Sequence, residues 1–434
     1  MTRYCVIGGG AAGMSALQQL REAGFEADCY EKSDKVGGHW QRDYEALHLI
    51  TSRDTTHFEG FPMPADYPHF PSRKQVVEYL ESYAKEKGLD EVIQFNTAVE
   101  TVTPIETTGE VGSAGWTVTL SNGESVDYDG VLVGNGHLWD QKVPQFRGEF
   151  TGKTIHSGSY KNTADIEGDR VLVVGVGNSG CDLAVDAAQH RFQVDIVMRE
   201  GTHFQPKMYF GVPRQEVSLF AGFAPDEVDL LSRLLAKVSI GEAKNYPGMP
   251  EPKTRTLAAG RAVVNTLMPY WVHHGRISIV PGIERFDGKT VHFSDGSSRE
   301  YDTILWATGF HASVPFLNEE LIERRNGVPL RYAAGIVPQG LEKLYYIGLT
   351  APRGPQLPIY GVQAKRVIEM IKLHESSESG FAPIQSYLSQ LQEPDDVIDI
   401  VRVVWEEQLA DTDRLIAAFS SARGAEHPQV AAVV

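Results

Sequence analysis

Two glycine-rich turns carry the residue pattern with the clearest chemistry in this chain of 434 residues. The first turn, GGGAAG at Gly8–Gly13, follows the short apolar run Arg3–Ile7 and precedes a predicted helix at Met14–Ala23. In such a strand–turn–helix unit the first glycine permits a tight turn, the third lets the backbone approach a pyrophosphate, and the last allows the helix to pack closely on the strand. The pattern predicts a dinucleotide-binding site.

An acid at the end of the next strand narrows the chemistry of this first site. The predicted strand Glu26–Tyr30 leads into Glu31, where a carboxylate would bind the hydroxyls of an adenosine ribose. The following VGGHW, Val36–Trp40, would bring backbone and an aromatic face against the rest of a flavin, although its tryptophan fits a core position equally well. The predicted FAD ligands are Gly8, Gly9, Gly10, Ala11, Ala12, Gly13, Glu31, Gly38, His39, Trp40, Val99 and, at the start of a late helix, Gln356.

The second turn, GVGNSG at Gly175–Gly180, repeats this arrangement with one change of charge. It follows the apolar run Val171–Val174 and precedes a helix and a strand, Val194–Met198. Arg199 closes that strand where the first unit has its acid, and an arginine suits the 2′-phosphate of NADPH better than a free ribose. The ligands predicted from this turn and strand end are Gly175, Gly177, Asn178, Ser179, Gly180 and Arg199.

The segment FTGKTIHSGSY, Phe150–Tyr160, joins the two turns and would hold two cofactors face to face. His156 and Tyr160 are predicted to orient this linker and the nicotinamide side of the site rather than to act as catalytic acid and base. A hydrogen-bonded histidine and a packed tyrosine at a domain boundary would fit the same pattern.

An internal repeat predicts how these turns are built into domains. Residues Trp116–His137 and Thr290–Phe310 each read as an alternating strand, an Asn-Gly or Asp-Gly hairpin, a return strand and a buried run that ends near glycine. The predicted fold is α/β, with two Rossmann-like dinucleotide-binding domains, the NADPH domain being inserted into the FAD domain. The predicted bounds are 1–160 plus 286–434 for FAD and 161–285 for NADPH.

Composition excludes several other functions. A net charge of −17 opposes binding to nucleic acid or to an anionic membrane surface, and no apolar run reaches membrane-spanning length. The three cysteines are scattered, so a redox cysteine pair beside VGGHW, as in disulfide reductases, is absent from the sequence. His273 and His274 lack the partners of a metal site, and no metal is expected. We expect a cytoplasmic enzyme, with a homodimer favoured only as the commonest symmetry.

Taken together, these motifs resemble the flavin-containing monooxygenases, which are class B flavoprotein monooxygenases. Phe150, Gly152, His156 and Tyr160 match the family signature FxGxxxHxxxY between the two glycine turns. The resemblance extends to GGHW at Gly37, GNGH at Gly134, HFQPK at His203 and ATGF at Ala307, of which Thr308 and Gly309 are added to the predicted NADPH ligands. The related Baeyer–Villiger enzymes usually carry tryptophan at the position of Tyr160, which favours the branch that oxidises heteroatoms.

The resemblance implies a catalytic cycle that uses FAD, NADPH and O2. NADPH would reduce the flavin, the reduced flavin would form a C4a-hydroperoxide with O2, and one oxygen atom would pass to an amine nitrogen or a sulfide sulfur of a small molecule. The other oxygen atom would leave as water. Two alternatives stay open: an NADPH oxidase or reductase that releases hydrogen peroxide, and a Baeyer–Villiger monooxygenase that acts on ketones.

The sequence departs from the family in the loop LITSR. Many family members have an asparagine near the flavin where this chain has Ile50, which cannot form a side-chain hydrogen bond. Either Thr51 or Ser52 takes over that role, or the peroxide is shorter-lived, and we expect the second. Ile50, Thr51 and Ser52 are therefore the predicted residues of the loop beside the flavin, in addition to His156 and Tyr160 in the linker.

Overall fold

The computed structural model describes residues 2–106, 111–260, 262–375, 387–388 and 392–422. Its first sheet has five parallel strands. In spatial order these are β26 (Leu344–Tyr346), β7 (Gly130–Val133), β1 (Arg3–Ile7), β2 (Glu26–Tyr30) and β3 (Ile93–Gln94). The central strands are apolar and buried, as expected where helices cover both faces of a parallel sheet.

The second sheet is also five-stranded and parallel, and its strand order repeats that of the first. In spatial order its strands are β9 (Lys153–His156), β20 (Thr303–Trp306), β10 (Arg170–Val174), β11 (Gln193–Val197) and β16 (Ile277–Val280). Each glycine turn therefore follows the middle strand of its own sheet. This arrangement confirms the predicted fold class of two Rossmann-like domains, one inserted into the other.

The sheet pairing bears on the domain bounds, which stay a prediction. Strand β9 precedes the predicted segment 161–285 and β20 follows it, yet both are strands of the second sheet. Strand β20 pairs directly with β10, so a boundary at 286 would separate it from its sheet. We therefore propose that the second domain extends over about 153–306, the span of the strands in its sheet. Residues 423–434 of the predicted first domain lie outside the described residues.

The predicted internal repeat is confirmed by two small antiparallel sheets, one in each domain. The first contains β4 (Val99–Pro104), β5 (Trp116–Leu120) and β6 (Ser125–Tyr128), and the second contains β17 (Ile283–Asp287), β18 (Thr290–Phe293) and β19 (Ser298–Glu300). Each sheet leads directly into a central strand of the larger sheet, β7 or β20. The two domains thus share the same order of elements apart from one edge strand, since β26 follows the other strands of its sheet in the chain and β9 precedes those of its own.

Seven α-helices of seven or more residues lie within the described part of the chain. They are α1 (Ala11–Glu22), α2 (Arg73–Glu86), α3 (Asn178–Gln189), α4 (Pro225–Ser239), α5 (Leu267–His273), α6 (Leu357–Glu375) and α7 (Arg402–Ala422). Helices α1 and α6 pack together in the core of the first domain, whereas α3 and α5 pack in the core of the second. Within the described residues, no helix combines the length and the apolar character needed to cross a bilayer.

Short paired strands complete the described structure. They are β12 (His203–Gln205) with β15 (Ala262–Val264), β13 (Met208–Tyr209) with β14 (Val212–Pro213), β8 (Asp140–Gln141) with β21 (Phe310–His311), β22 (Arg324–Arg325) with β23 (Val328–Pro329), β24 (Arg331–Tyr332) with β25 (Val337–Pro338), and β27 (Ala351–Pro352) with β28 (Asp399–Ile400). The pair β8–β21 and the bridge of Phe150 with Gly288 connect the linker region to the second domain.

Candidate functional site

The first glycine turn connects β1 to α1 in a conformation that only glycine tolerates at two of its positions. Gly8 has a φ of 105°, and a methyl group there would lie 2.8 Å from the Gly134 carbonyl oxygen. A methyl group on Gly13 would lie 1.7 Å from the Gly8 carbonyl oxygen. Gly10 is the N-cap residue of α1, so the free N–H groups and the positive end of the helix dipole point at the turn. This geometry fits the pyrophosphate of a dinucleotide, with Ala11 and Ala12 in the first helical turn.

Glu31, whose binding of a ribose stays a prediction, lies beside this turn. The side chain is 5% exposed, and its Oε2 accepts a hydrogen bond from the Gly9 N–H at 2.6 Å. Its Oε1 accepts one from the Ser33 N–H at 2.8 Å. The N–H of Thr97 donates to the Glu31 carbonyl oxygen at 3.0 Å, so that Val99, two residues further on, begins its strand close to the same place. The carboxylate is thus fixed at the mouth of the turn, where FAD would present the adenosine ribose.

The predicted VGGHW residues fall into two groups. The Gly37 N–H donates to the Gly9 carbonyl oxygen at 3.1 Å, and a methyl group on Gly10 would lie 3.7 Å from the Cα atom of Gly38. The glycines therefore contact the first turn. His39 is bonded through Nδ1 to the Asp43 carboxylate at 2.6 Å, and Trp40 packs partly against the first core. Of the two predicted positions for Trp40, against a flavin or in the core, its packing fits the core position.

The second glycine turn reproduces the geometry of the first. Gly175 has a φ of 114°, and a methyl group there would lie 2.4 Å from the Ala307 carbonyl oxygen. A methyl group on Gly180 would lie 1.9 Å from the Gly175 carbonyl oxygen. Gly177 is the N-cap residue of α3, and a methyl group on it would meet nothing within 4 Å. The open position at Gly177 is where a pyrophosphate would approach the backbone.

The residues around this turn also make structural contacts within the second domain. The Asn178 side-chain oxygen accepts a hydrogen bond from the Val264 N–H at 2.9 Å, and Ser179 follows it in the first turn of α3. Arg199 is exposed two residues after the end of β11 and lies against Gly282. Its neighbour Glu200 forms an ion pair with Lys253 at 2.6 Å. The guanidinium of Arg199 is therefore the net positive charge at the position where a 2′-phosphate would lie.

The linker histidine and tyrosine are buried and fully engaged in structural contacts. The Gly158 N–H donates to Nδ1 of His156 at 3.1 Å, so the ring proton lies on Nε2, which donates to the Gly309 carbonyl oxygen at 3.0 Å. Burial lowers the pKa of His156, which keeps the ring neutral. Tyr160 is 0% exposed and donates to the Asp186 carboxylate on α3 at 2.7 Å. These contacts fit an orienting role and leave no free group for acid–base catalysis.

His156 thereby fixes the loop that follows β20. Thr308 donates a side-chain hydrogen bond to the Lys142 carbonyl oxygen, and the Lys142 N–H donates to the Gly309 carbonyl oxygen at 3.0 Å. The loop lies at the carboxyl end of the second sheet, next to Gly175. Thr308 and Gly309 are therefore brought to the same edge as the second glycine turn, and their binding of NADPH stays a prediction.

The LITSR loop uses its hydroxyl groups internally. The Thr56 hydroxyl donates to the Thr51 hydroxyl at 2.7 Å, and the hydroxyls of Ser52 and Thr55 are hydrogen-bonded at 2.9 Å. Ser52 is 0% exposed. Ile50, in contrast, is half-buried. The hydroxyls of Thr51 and Ser52 are thus engaged in contacts within the loop.

Two groups near the first site carry buried polar atoms without a partner among the described residues. Gln356 donates through Nε2 to the Pro352 and Gly354 carbonyl oxygens at 2.6 and 2.9 Å, while its Oε1 is buried and unpaired. Gln363 is 0% exposed, accepts from the Gly348 N–H at 2.9 Å, and has an unpaired Nε2. Buried unpaired polar atoms just before α6 and within it, beside the first glycine turn, fit the edge of a polar ligand such as a flavin ring.

His137 is a site residue that the sequence showed only as part of the GNGH motif. It follows β7, and its Nδ1 bonds the Gly348 carbonyl oxygen at 3.1 Å. Gly348 follows β26 and lies against Ala12 of the first turn. Burial lowers the pKa of His137 to about 4, although the hydrogen bond to Gly348 opposes this shift. The carboxyl ends of the neighbouring strands β26, β7 and β1 therefore meet beside His137. This meeting follows from the order of the strands in the sheet and not from the sequence.

The lowered pKa of His137 predicts a pH dependence of stability. The pKa of histidine is about 6.5 in the unfolded chain, whereas that of His137 in the folded chain is about 4. The unfolded state therefore binds a proton more readily, and the free energy of unfolding falls as the pH drops from about 6.5 to about 4. Between pH 7 and pH 5 we expect His137 to remove about 2 kcal/mol from the free energy of unfolding. His137→Asn, which keeps a donor for Gly348, should flatten this slope in urea unfolding at fixed FAD. The exposed His311→Asn is the control, and equal slopes for all three proteins would contradict the prediction.

Comparison with known proteins places this geometry among flavoproteins. A family model described as flavin-binding monooxygenase-like matches residues 1–380. Flavin-containing monooxygenase 3 of Rattus norvegicus is 31% identical over 400 residues, which cover 85% of this chain and 74% of the relative. The fold is similar to that of a flavin-containing monooxygenase from Stenotrophomonas maltophilia, with a TM-score of 0.67, 20% identity, and coverage of 87% of this chain and 100% of the other. A cyclohexanone monooxygenase from Rhodococcus sp. Phi1 bound to NADP+ gives a TM-score of 0.69 at 16% identity, with 98% of both chains covered.

Proposed function

The chain belongs to the flavin-binding monooxygenase-like family, so we propose that it oxygenates a soft nucleophile of a small molecule, either an amine nitrogen or a sulfide sulfur. As a member of this family it is a flavoprotein monooxygenase that uses FAD and NADP(H). The observation that carries this proposal is the pairing of two glycine turns of one geometry with side chains of opposite charge. Glu31 directly follows β2 beside the first turn, and Arg199 lies two residues after β11 beside the second. A free ribose is matched on one side and a 2′-phosphate on the other.

The residues of the chain bind and orient the two cofactors. When bound, NADPH supplies a hydride and FAD supplies the redox chemistry with O2. The two turns would hold the pyrophosphates at the N-termini of α1 and α3. The neutral ring of His156 would hold the loop of Thr308 and Gly309 at the edge of the second site, and Tyr160 would fix the linker to α3 through Asp186. We therefore propose orienting rather than proton-transferring roles for His156 and Tyr160.

Tyr160 supports oxygenation of a heteroatom over oxygenation of a ketone. Baeyer–Villiger relatives usually carry tryptophan at this position, whereas here a phenol hydroxyl donates a hydrogen bond to Asp186. The Baeyer–Villiger alternative is kept because the fold is also similar to that of a cyclohexanone monooxygenase. A cytoplasmic location and a homodimer stay predictions.

The test is to supply the FAD-loaded enzyme with NADPH and ¹⁸O2 in the presence of trimethylamine, a methyl aryl sulfide or cyclohexanone. Mass spectrometry and a peroxide assay would follow the products. One ¹⁸O atom in an N-oxide or sulfoxide is the expected result. An ¹⁸O-labelled lactone would favour the Baeyer–Villiger alternative, and hydrogen peroxide equal to the NADPH consumed, without any labelled product, would favour the oxidase.

Arg199 is predicted to set the preference for NADPH over NADH. Removing the guanidinium takes away a charge-assisted hydrogen bond to the 2′-phosphate, so Arg199→Ala should lower kcat/KM for NADPH by about 10- to 100-fold and leave that for NADH nearly unchanged. Glu200→Gln is the matched control, because it changes the neighbouring charge without touching Arg199. Steady-state kinetics with both nucleotides would check this, and a wild-type preference for NADH would contradict the assignment.

Ile50 is predicted to limit the coupling of NADPH use to product. Its side chain offers no hydrogen bond, and the hydroxyls of Thr51 and Ser52 are engaged by Thr56 and Thr55. Ile50→Asn should therefore lower the hydrogen peroxide released per NADPH severalfold, since one added hydrogen bond contributes roughly 1 kcal/mol. Ile50→Val, which keeps the apolar character, should behave like the wild type. Equal peroxide yields from wild type and Ile50→Asn would count against this role.

A further inference from the structure

The loop of residues 44–52 connects the hydrophobic cores of the two domains. Its first half belongs to the second domain, because Tyr44 is buried in that core and Leu47 packs against it. Its second half belongs to the first domain, where Leu49 is buried with the residues around α1 and α2. The chain crosses from one core to the other immediately before Ile50. A shift of the second domain would therefore move the segment that carries Ile50.

Two side-chain hydrogen bonds fix this loop to the second domain. The Tyr44 hydroxyl donates to Oδ2 of Asp182 at 3.0 Å. The Lys207 ammonium donates to the Leu49 carbonyl oxygen at 3.3 Å, and it lies 5.4 Å from the centre of the Phe70 ring. Tyr44 and Leu49 flank the point at which the loop changes core. Their partners come from separate elements of the second domain, α3 and the segment after β12.

Asp182 links these contacts to the second glycine turn. It lies one helical turn after Asn178 in α3, the helix that begins at Gly177. Its Oδ1 accepts a hydrogen bond from the Asn265 side chain at 3.0 Å, and Asn265 follows β15, whose Val264 N–H donates to Asn178. Burial raises the pKa of Asp182 to about 6, and the nearby Lys207 ammonium opposes that rise. The carboxylate is thus part of a buried polar network that reaches the turn itself.

We propose that the hydrogen bonds Tyr44–Asp182 and Lys207–Leu49 form a latch through which occupancy of the nucleotide site beside α3 sets the position of loop 44–52. Tyr44, Asp182 and Lys207 are positioning residues in this scheme, and they act on the loop rather than on the substrate. The inference rests on the proposed function, because it takes NADP(H) to be the ligand of the second turn. NADP+ held at that turn would stiffen α3, and the latch would pass this stiffening to the loop.

Hydrogen–deuterium exchange of the FAD-loaded protein, with and without NADP+, tests the latch without relying on activity. In the wild type, NADP+ should slow exchange both at Gly175–Gly180 and in residues 45–52. In Tyr44→Phe and in Lys207→Met the protection of 45–52 should fall about tenfold, since each variant removes a hydrogen bond to or from a charged group. Protection at Gly175–Gly180 should stay. Lys207→Arg, which keeps a donor, should restore the response of the loop.

Tyr128→Phe is a matched control for the loss of a tyrosine hydroxyl. Tyr128 donates to the Asp28 carboxylate at 2.7 Å entirely within the first domain, so its removal should leave the NADP+ response of the loop intact. Wild-type protection of 45–52 in both Tyr44→Phe and Lys207→Met would overturn the latch while leaving the nucleotide site in place. Absence of any NADP+ effect at Gly175–Gly180 in the wild type would overturn the nucleotide assignment as well. Melting temperatures would show that each variant is folded, and Lys207→Met keeps the test decisive should Tyr44→Phe fail to fold.

Discussion

Gly13→Ala is expected to yield a protein that no longer retains FAD. The added methyl group would lie 1.7 Å from the Gly8 carbonyl oxygen, a backbone atom that cannot rotate away. Helix α1 would have to move off β1, and overpacking of this kind costs about 1–3 kcal/mol or more, which corresponds to roughly 100-fold weaker cofactor binding at the upper value. The FAD content of the purified protein and its dissociation constant, from quenching of flavin fluorescence, would measure the loss.

Gly10→Ala separates loss of the cofactor from loss of the fold. A methyl group there would meet Gly38 at 3.7 Å, an ordinary contact, and the φ of −76° suits alanine. We therefore expect the melting temperature of the apoprotein to stay near that of the wild type in Gly10→Ala and to fall in Gly13→Ala. Both variants should bind FAD more weakly, because Gly10 is where the pyrophosphate approaches the backbone. Full flavin occupancy in Gly13→Ala would contradict the close packing of helix and strand as the reason for this glycine.

The two turns could be predicted from sequence because their requirements are local. Gly13 is needed because of Gly8, and Gly180 because of Gly175, within the same short segment. The contrast between Glu31 and Arg199 follows from their nearly equal places after the second strand of each unit, one residue after β2 and two residues after β11. Local spacing therefore carries both the backbone constraint and the sign of the charge.

Features that depend on pairing between distant segments could not be read in the same way. The pairing of β20 with β10 brings a strand beyond residue 286 into the second sheet, but nothing in the sequence around that residue indicates it. His137 and Gly348 meet because β7 and β26 are neighbours in the sheet. The orientation of His39 is set by Asp43 and the packing of Trp40 by the core, so the motif predicted the position of these side chains better than their contacts.

The linker shows how a correct motif can have an unexpected structural basis. The sequence predicted a connection that holds two cofactors face to face. In the structure, Lys153–His156 is the edge strand of the second sheet, and a methyl group on Gly152 would lie 2.6 Å from the Asp302 carbonyl oxygen. Phe150 packs against Phe286, with ring centres 5.7 Å apart. The signature residues thus build the second domain, and an effect of His156 on NADPH would be transmitted through Gly309.

Gly177→Ala is expected to disable the use of NADPH in a protein that is otherwise intact. A methyl group on Gly177 would meet nothing within 4 Å, and the backbone angles of −97° and −175° are ordinary for alanine. Folding and FAD content should therefore stay at wild-type values. The methyl group would nevertheless occupy the open face of the turn, where the pyrophosphate must approach the N-terminus of α3, so we expect the dissociation constant for NADP+ to rise by about 100-fold.

Gly180→Ala is the companion variant that distinguishes contact with the nucleotide from support of the fold. Its methyl group would lie 1.9 Å from the Gly175 carbonyl oxygen, so α3 would have to shift and the melting temperature should fall together with NADP+ affinity. Calorimetric titration with NADP+ and thermal unfolding of both variants would supply the comparison. Loss of NADP+ binding with unchanged stability in Gly177→Ala alone would show that the ligand, rather than the packing of the helix, requires glycine at this position. Wild-type NADP+ affinity in Gly177→Ala would instead contradict the second turn as the pyrophosphate site. The added methyl group would then fill the open space at the N-cap of α3 without displacing any part of the nucleotide.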